Sequence, residues 1–243
     1  MAELEPRRPG AIEAVLQRAL GGELTPYDWL ARAVAPSATR VLDLACGAGA
    51  MIERLAQPGR MVVGLDRAWE ELDEARLRGR GPLVQGHASY LPFADNSFDA
   101  VVTSLGLAVV ADRPRFLAEA ARVLRPGGVF AALTPSLRPT SVDDIRLTGR
   151  LANQLRVAPH LPGITEFKAK QTLASVGLTK AEDSRARYYF EVIGEDDART
   201  LLAGLRANAG STRSVNAVAT LTAWVADEPL RFPLPMRRLI AIK

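Results

Sequence analysis

Apolar residues along the chain change their spacing twice, and the changes mark out its elements. "AIEAVLQRAL" (11–20) places them at helical spacing and stops at Gly21-Gly22. "PYDWLARAVA" (26–35) repeats that spacing, with Thr25 as N-cap, Pro26 at the first helical position and Pro36 beyond the end. From residue 39 short apolar runs alternate with amphipathic ones. Strands are predicted at 39–45, 60–66, 82–88, within 98–109 and at 128–136, and helices at 47–57, 69–79 and 113–124. Pro126-Gly127-Gly128 is read as the end of the last of these helices. Such alternation with short connections predicts a parallel sheet covered by helices on both faces. After Pro139 the pattern loosens into helices at 141–156 (capped by Ser141), 165–177, 196–209 and 214–227, with strands at 179–193 and 231–243. Tyr188-Tyr189-Phe190 on the first of these strands must alternate between its faces. The reading is one α/β domain with a helical cap drawn from 137–164 and 195–228. Residues 1–38 form a helical N-terminal segment, 39–136 the ligand-binding core, and 165–194 with 229–243 the rest of the core sheet.

Composition changes this picture little. Hydrophobic residues make up 48% and charged residues 24% of the 243, as in an ordinary soluble globular protein. The opening "MAELEPRRPG" is polar and unlike a signal peptide, and no segment approaches the ~20 apolar residues that span a bilayer. The single cysteine, Cys46, excludes an intramolecular disulfide and argues against a cysteine metal site. A cytoplasmic location without membrane insertion is the expectation; oligomeric state is left open. The net charge of +4 and pI of about 9.6 raise the question of nucleic acid. The basic clusters at 76–81 and 235–243 lack interleaved aromatics, however, so scattered solvated arginines explain the charge more simply.

The candidate chemistry lies in "VLDLACGAGA" (41–50), where a buried strand breaks into glycine and small residues. In open parallel sheets ligands sit beyond the carboxyl ends of the strands. Gly47 and Gly49 allow a tight turn and close backbone approach, and Asp66, about 20 residues on, ends the next strand where an acid can bind two ribose hydroxyls. The dinucleotide fingerprint Gly-x-Gly-x-x-Gly fails at Ile52. Asp43 ahead of the turn is unfavourable beside a pyrophosphate and favourable beside an ammonium. A ligand with a ribose and an amino-acid ammonium fits better, and S-adenosylmethionine carries both.

With "GLD" (64–66), "LPFADNSFDAVV" (91–102) and "RVLRPGG" (122–128), the chain resembles the class I S-adenosylmethionine-dependent methyltransferases of small-molecule type over roughly 39–135. The resemblance implies a Rossmann-like, doubly wound, seven-stranded sheet whose last strand is antiparallel. It further implies that backbone at Ala45, Cys46, Gly47 and Gly49 cradles the methionine part, with Asp43 nearby. Asp66 would hold the ribose beside Arg67, His87 and Ala88 would flank adenine, and Ser104 and Leu105 would lie near the cofactor. Relatives commonly carry an acid in place of His87, and a neutral imidazole can likewise accept a hydrogen bond from the adenine amino group. They also carry histidines where this chain has Leu107 to Val110. Tyr27 and Trp29 precede the first strand, where an aromatic face would attract a sulfonium or pack in the core.

Methyl transfer is an in-line displacement that asks for alignment and exclusion of water, and a hydroxyl acceptor also asks for a base. His160, in "VAPHLPG", is the candidate base, set against the reading of a surface-loop histidine. Asp143, Asp144 and Glu166 read as acids of helix first turns. Cys46 shows neither the paired base nor the lowered pKa of a nucleophile. The expected function is methylation of a small-molecule acceptor, at oxygen. The alternatives are an RNA or protein methyltransferase, against which the absence of an Asn/Asp-Pro-Pro-Tyr-type motif speaks, and a non-catalytic S-adenosylmethionine-binding module.

Overall fold

Val41, Leu42 and Leu44 bury themselves in a first strand, β1 (Arg40–Leu44), and the other short apolar runs join it side by side. They are β2 (Met61–Asp66), β3 (Leu83–Gln85), β4 (Phe98–Ser104) and β5 (Leu124–Pro135), followed by the long β6 (Thr179–Val192) and β7 (Leu230–Ile242). The computed structural model describes residues 9–138, 140–155, 169–205, 212–225 and 228–243. The sheet order is β3-β2-β1-β4-β5-β7-β6. Neighbours from β3 to β5 run parallel, and β7 pairs antiparallel with β5 from Val129↔Ile242 to Pro135↔Met236. Strand order reverses between β1 and β4, so the chain leaves β1 and β4 in opposite directions and opens a crevice at their carboxyl ends.

The chain forms two compact units. One holds the described residues of Tyr27–Ser136, Leu161–Arg185 and Met236–Lys243; the other holds those of Met1–Pro26, Leu137–His160 and Ala186–Pro235. In the first unit, α3 (Ala50–Leu55) follows β1, α4 (Trp69–Leu77) follows β2, and α5 (Gly106–Val109) and α6 (Arg113–Val123) follow β4. Phe116, Leu117, Ala120 and Val123 of α6 pack with Leu42, Leu65, Val101 and Phe130 of the sheet, together with Leu173 of α8 (Ala169–Ala174). The short α2 (Pro26–Ala31) is tied down at both ends of its charge pattern. Arg54 pairs with Asp28 at 2.9 Å, and Arg238 reaches the Trp29 carbonyl at 2.5 Å with its guanidinium 4.7 Å from the Trp29 ring. Trp29 is thus a packing residue of this unit.

The second unit has its own core. Val15 of α1 (Ala11–Leu16) and Leu151 of α7 (Val142–Leu155) meet Phe190 and Val192 of β6, Leu201 of α9 (Glu195–Gly204), Leu221 of α10 (Thr212–Ala223) and Phe232 of β7. Tyr188 and Phe190 are buried and Tyr189 is half-exposed, the alternation a strand requires. α7 starts on a reciprocal cap: Asp144 N–H donates to Ser141 Oγ at 3.1 Å while Ser141 N–H donates to the Asp144 carboxylate at 2.8 Å.

Some element boundaries depart from the sequence reading. The first helix ends at Leu16 rather than at 20, because Leu20 exchanges backbone bonds with Tyr189. The helix after β1 begins only at Ala50, since Gly47 and Gly49 both sit at positive φ. β3 is three residues long. The Pro-Gly-Gly run does not end a helix. α6 stops at Val123, and Leu124 already belongs to β5, which carries Gly127 at φ 76 as an irregularity within the strand. The apolar run 98–109 is divided at Leu105, whose φ of 62 turns β4 into α5. Among the described residues no helix is long and apolar enough to cross a membrane, and none of their acidic, histidine or cysteine side chains group as a metal site.

Two of the sequence motifs meet away from the crevice. Arg122 of α6 donates to the Leu91 and Phe93 carbonyls at 3.0 and 2.8 Å, and to Asp95 and Glu119. Glu119, 7% exposed, accepts the Leu91 N–H at 2.8 Å. Lys243 Nζ donates to Asn96 Oδ1 and the Leu124 carbonyl, and Arg125 pairs with Asp99 at 2.5 Å. "LPFADNSFD" and "RVLRPGG" therefore form a structural clasp.

Candidate functional site

Backbone bonds and two side chains hold the turn after β1 in place. Cys46 N–H donates to the Leu65 carbonyl at 3.0 Å, tying the turn to β2, and Gly49 N–H donates to the Cys46 carbonyl at 2.9 Å. Ala45 adopts φ 59, a left-handed conformation that costs a residue with a Cβ on the order of 1 kcal/mol. Gly64 on β2 makes the close fit possible. A Cβ there would stand 2.7 Å from Ile52 Cδ1 and 2.9 Å from Cys46 Sγ. Gly106 does the same on the other side, where a Cβ would meet Thr103 Oγ1 at 2.2 Å and the Ala45 Cβ at 3.2 Å. The ends of β1, β2 and β4 are thereby drawn together.

Asp66 is the junction. Its Oδ2 accepts the Gly47 N–H at 2.8 Å and its Oδ1 accepts the Ala68 N–H at 2.9 Å. Each carboxylate oxygen keeps a further lone pair for a ligand hydroxyl. Asp43 is 1% exposed within β1, opposite Val102 of β4. Glu71 of α4 brings a third acid close: its Oε2 lies 3.7 Å from where a Gly47 Cβ would be. Burial, followed by the charges of Asp43 and Asp66, pushes the Cys46 thiol well above its ordinary value. The shift disfavours the thiolate, the nucleophilic form of the side chain. With its N–H bonded to β2 and its carbonyl to Gly49, Cys46 contributes shape to the turn.

The donor set tests the expected ligand. Acidic side chains around a tight backbone turn suit a cationic ligand with vicinal hydroxyls and oppose a pyrophosphate. Ser104, at the end of β4, has its Oγ buried with no hydrogen-bond partner, an unmet polar group where a ligand atom would satisfy it. S-adenosylmethionine fits this set.

The remaining sequence candidates are distributed as follows. Ser104 and Leu105 stand together at the carboxyl end of β4, Leu105 N–H bonded to the Leu133 carbonyl at 2.8 Å. Arg67 is exposed, immediately after Asp66, and Tyr27 is only 4% exposed at the start of α2. His87 is exposed and Ala88 half-buried beyond β3. The His87 ring takes part in its own loop. Its Nδ1 accepts the Ser89 N–H at 3.1 Å, closing the local turn that an aspartate would close. In that orientation the Nδ1 lone pair is occupied, which leaves Nε2 as the ring atom facing outward. His160 and Glu166 lie outside the described residues, whereas Asp144 is committed to the α7 cap and to Arg187 at 2.9 Å. Glu71, Gly64 and Gly106 are contributors the sequence reading missed. Glu71 reads as one of two helix acids until the fold turns it toward Gly47.

A family model described as a methyltransferase domain matches residues 42–132. A demethylmenaquinone methyltransferase of Corynebacterium kroppenstedtii is 45% identical over 89 residues, 37% of this chain and 38% of its own length. A Mycolicibacterium smegmatis protein described as an S-adenosylmethionine-dependent methyltransferase is 32% identical over 163 residues, covering 65% of this chain and 59% of its own. The chain thus spans 38% and 59% of the two relatives' lengths, less than two-thirds of either. A Bacillus halodurans structure described as a methyltransferase superposes with a TM-score of 0.64 at 21% identity, covering 89% of this chain and 98% of that one, which establishes the shared fold.

Proposed function

We propose that the chain, whose residues 42–132 match a methyltransferase-domain model, is a class I S-adenosylmethionine-dependent methyltransferase that methylates a small-molecule acceptor using S-adenosylmethionine bound in the turn after β1. The observation that carries the reading is the Asp66 carboxylate bonded to Gly47 N–H at 2.8 Å, which joins the ribose-type acid of β2 to the glycine turn of β1. When bound, the cofactor supplies an electrophilic methyl group on a sulfonium. Gly47 and Ala68 N–H groups fix the Asp66 carboxylate so that its outer lone pairs receive the ribose hydroxyls. Asp43 gives the turn the negative charge that complements an ammonium, and Ser104 Oγ completes its hydrogen bonding on the ligand. Ala45, Cys46, Gly47 and Gly49 provide the close-fitting wall, and Tyr27, Arg67, His87, Ala88 and Leu105 border it. Such preorganisation serves a displacement that needs alignment above all.

The finer reading is methylation at oxygen, with the residues outside 42–132 selecting the acceptor. The Corynebacterium relative's named quinone-type substrate supports a small molecule. The arrangement of the basic clusters also supports this over nucleic acid. Arg78 pairs with Glu74, Arg80 with Glu53, Arg237 with Asp183 and Arg238 with Glu182, so their charges are largely neutralised locally.

Two measurements test the proposal. In calorimetry, Asp66→Ala should weaken S-adenosylmethionine binding at least tenfold; unchanged affinity would sink the site. A panel of hydroxylated small molecules in a coupled S-adenosylhomocysteine assay should yield turnover with a methylated oxygen. Tight cofactor binding with no turnover on small molecules, RNA or protein would instead establish a binding module.

A further inference from the structure

The peptide between Ala48 and Gly49 lies in the middle of the candidate turn. It lies between two glycines at positive φ, Gly47 at 54° and Gly49 at 82°, which restrict the backbone least. Its N–H side is fixed by Gly49 donating to Cys46, and its carbonyl side is held from outside the turn altogether. Arg80, which follows α4 some thirty residues later, donates from Nη1 to the Ala48 carbonyl at 2.7 Å. The same guanidinium binds Glu53 of α3 through Nε at 3.1 Å and Nη2 at 2.5 Å. One planar fork therefore spans the turn and the helix that leaves it, a geometry a lysine ammonium does not reproduce.

Arg80 is itself held in place. Its N–H donates to the Ala75 carbonyl at 2.9 Å, and its Cδ lies 3.2 Å from where a Gly49 Cβ would be. Its side chain is only 9% exposed, whereas that of its partner Glu53 is 66% exposed. An exposed acid adds little to such a pair, so the contact that matters is the charge-assisted bond to the turn carbonyl.

We propose that Arg80 is a positioning residue for the cofactor turn: it orders the Ala48–Gly49 peptide before ligand arrives and so sets cofactor affinity without touching the cofactor. The inference rests on the turn being the S-adenosylmethionine site. Ordering a glycine-flanked peptide in advance removes an entropy cost from binding. The loss of one charge-assisted bond corresponds to roughly a tenfold change.

The test is calorimetric titration of S-adenosylmethionine and S-adenosylhomocysteine into the full chain and its variants. Arg80→Met should bind both with about tenfold weaker affinity at unchanged stoichiometry, Arg80→Lys should fall between, and Glu53→Gln should stay within twofold of the parent. A merely structural role predicts the opposite split for Arg80→Met, a reduced binding-competent fraction whose affinity is unaltered, and that result overturns the proposal. So does equal affinity in Arg80→Lys should Arg80→Met not fold. A parent chain that binds neither ligand overturns the site reading and this inference with it, whereas a binding parent with an unaffected Arg80→Met overturns this inference alone.

Discussion

A methyl group added at Gly106 would have nowhere to go, with Thr103 Oγ1 at 2.2 Å and the Leu44 carbonyl at 3.4 Å. Gly106→Ala is therefore expected to cost about 1–3 kcal/mol in urea unfolding, as overpacked cores do. Cys46 gives a second single-residue expectation. Its folded pKa lies above its unfolded one, so the protonated thiol's contribution to stability is full below the unfolded value and drains as pH rises toward the folded one. A thiol reagent at mildly alkaline pH should label the denatured chain quickly and the native chain slowly; equal rates would contradict the burial argument. Single residues also mark how far the sequence can be read. The juxtaposition of Asp66 with the glycine turn was legible because both stand at the ends of adjacent strands. The His87 ring orientation was not, because it depends on one hydrogen bond to Ser89, and Arg80 was not, because its target is a backbone atom that carries no residue identity.

Elements were legible wherever burial has a simple period. β1, β2 and the α6 face follow directly from their apolar spacing, as does the antiparallel final strand once the family resemblance is admitted. The failures share a cause: tertiary contacts override local pattern. The charged start of β6, "KAEDSRAR", falls within the strand expected at 179–193, and the fold supplies what the pattern does not show: Asp183 meets Arg237 at 2.7 Å and Glu182 meets Arg238 at 2.7 Å across to β7. Arg237 is 2% exposed, and its bond to the Asp183 carboxylate, more than any other influence, holds that acid below its ordinary range. The clasp between α6 and residues 91–99 shows the same effect. Arg122→Met removes donors from Leu91, Phe93, Asp95 and Glu119 together, and it should destabilise the chain by about 2–4 kcal/mol in denaturant unfolding. A loss below half a kilocalorie per mole, of order ~0.5, would show that the clasp is decorative.

For the chain as a whole, acid is the expected weak point. Asp183 and Glu119 are held low chiefly by arginine bonds, from Arg237 and Arg122. In Asp99, Asp144, Glu182 and Asp197, burial alone would raise the pKa, but hydrogen bonds and nearby arginines outweigh it. Depressed carboxylates stabilise fully above their unfolded values of about 4, and that contribution disappears as pH falls through the lower folded values. Circular dichroism should therefore show a stability plateau near neutrality and a cooperative loss below about pH 4. Both units carry such acids, Asp144 and Asp197 in one and the others in its companion, so acid should weaken each. The clasp has one more consequence, for the resemblance itself. Two of the motifs that carry the resemblance maintain architecture, whereas the proposed ligand site draws on the turn acids Asp43 and Asp66. Replacing Asp43 and Asp66 would therefore leave those two signatures in place, because folding by itself requires them.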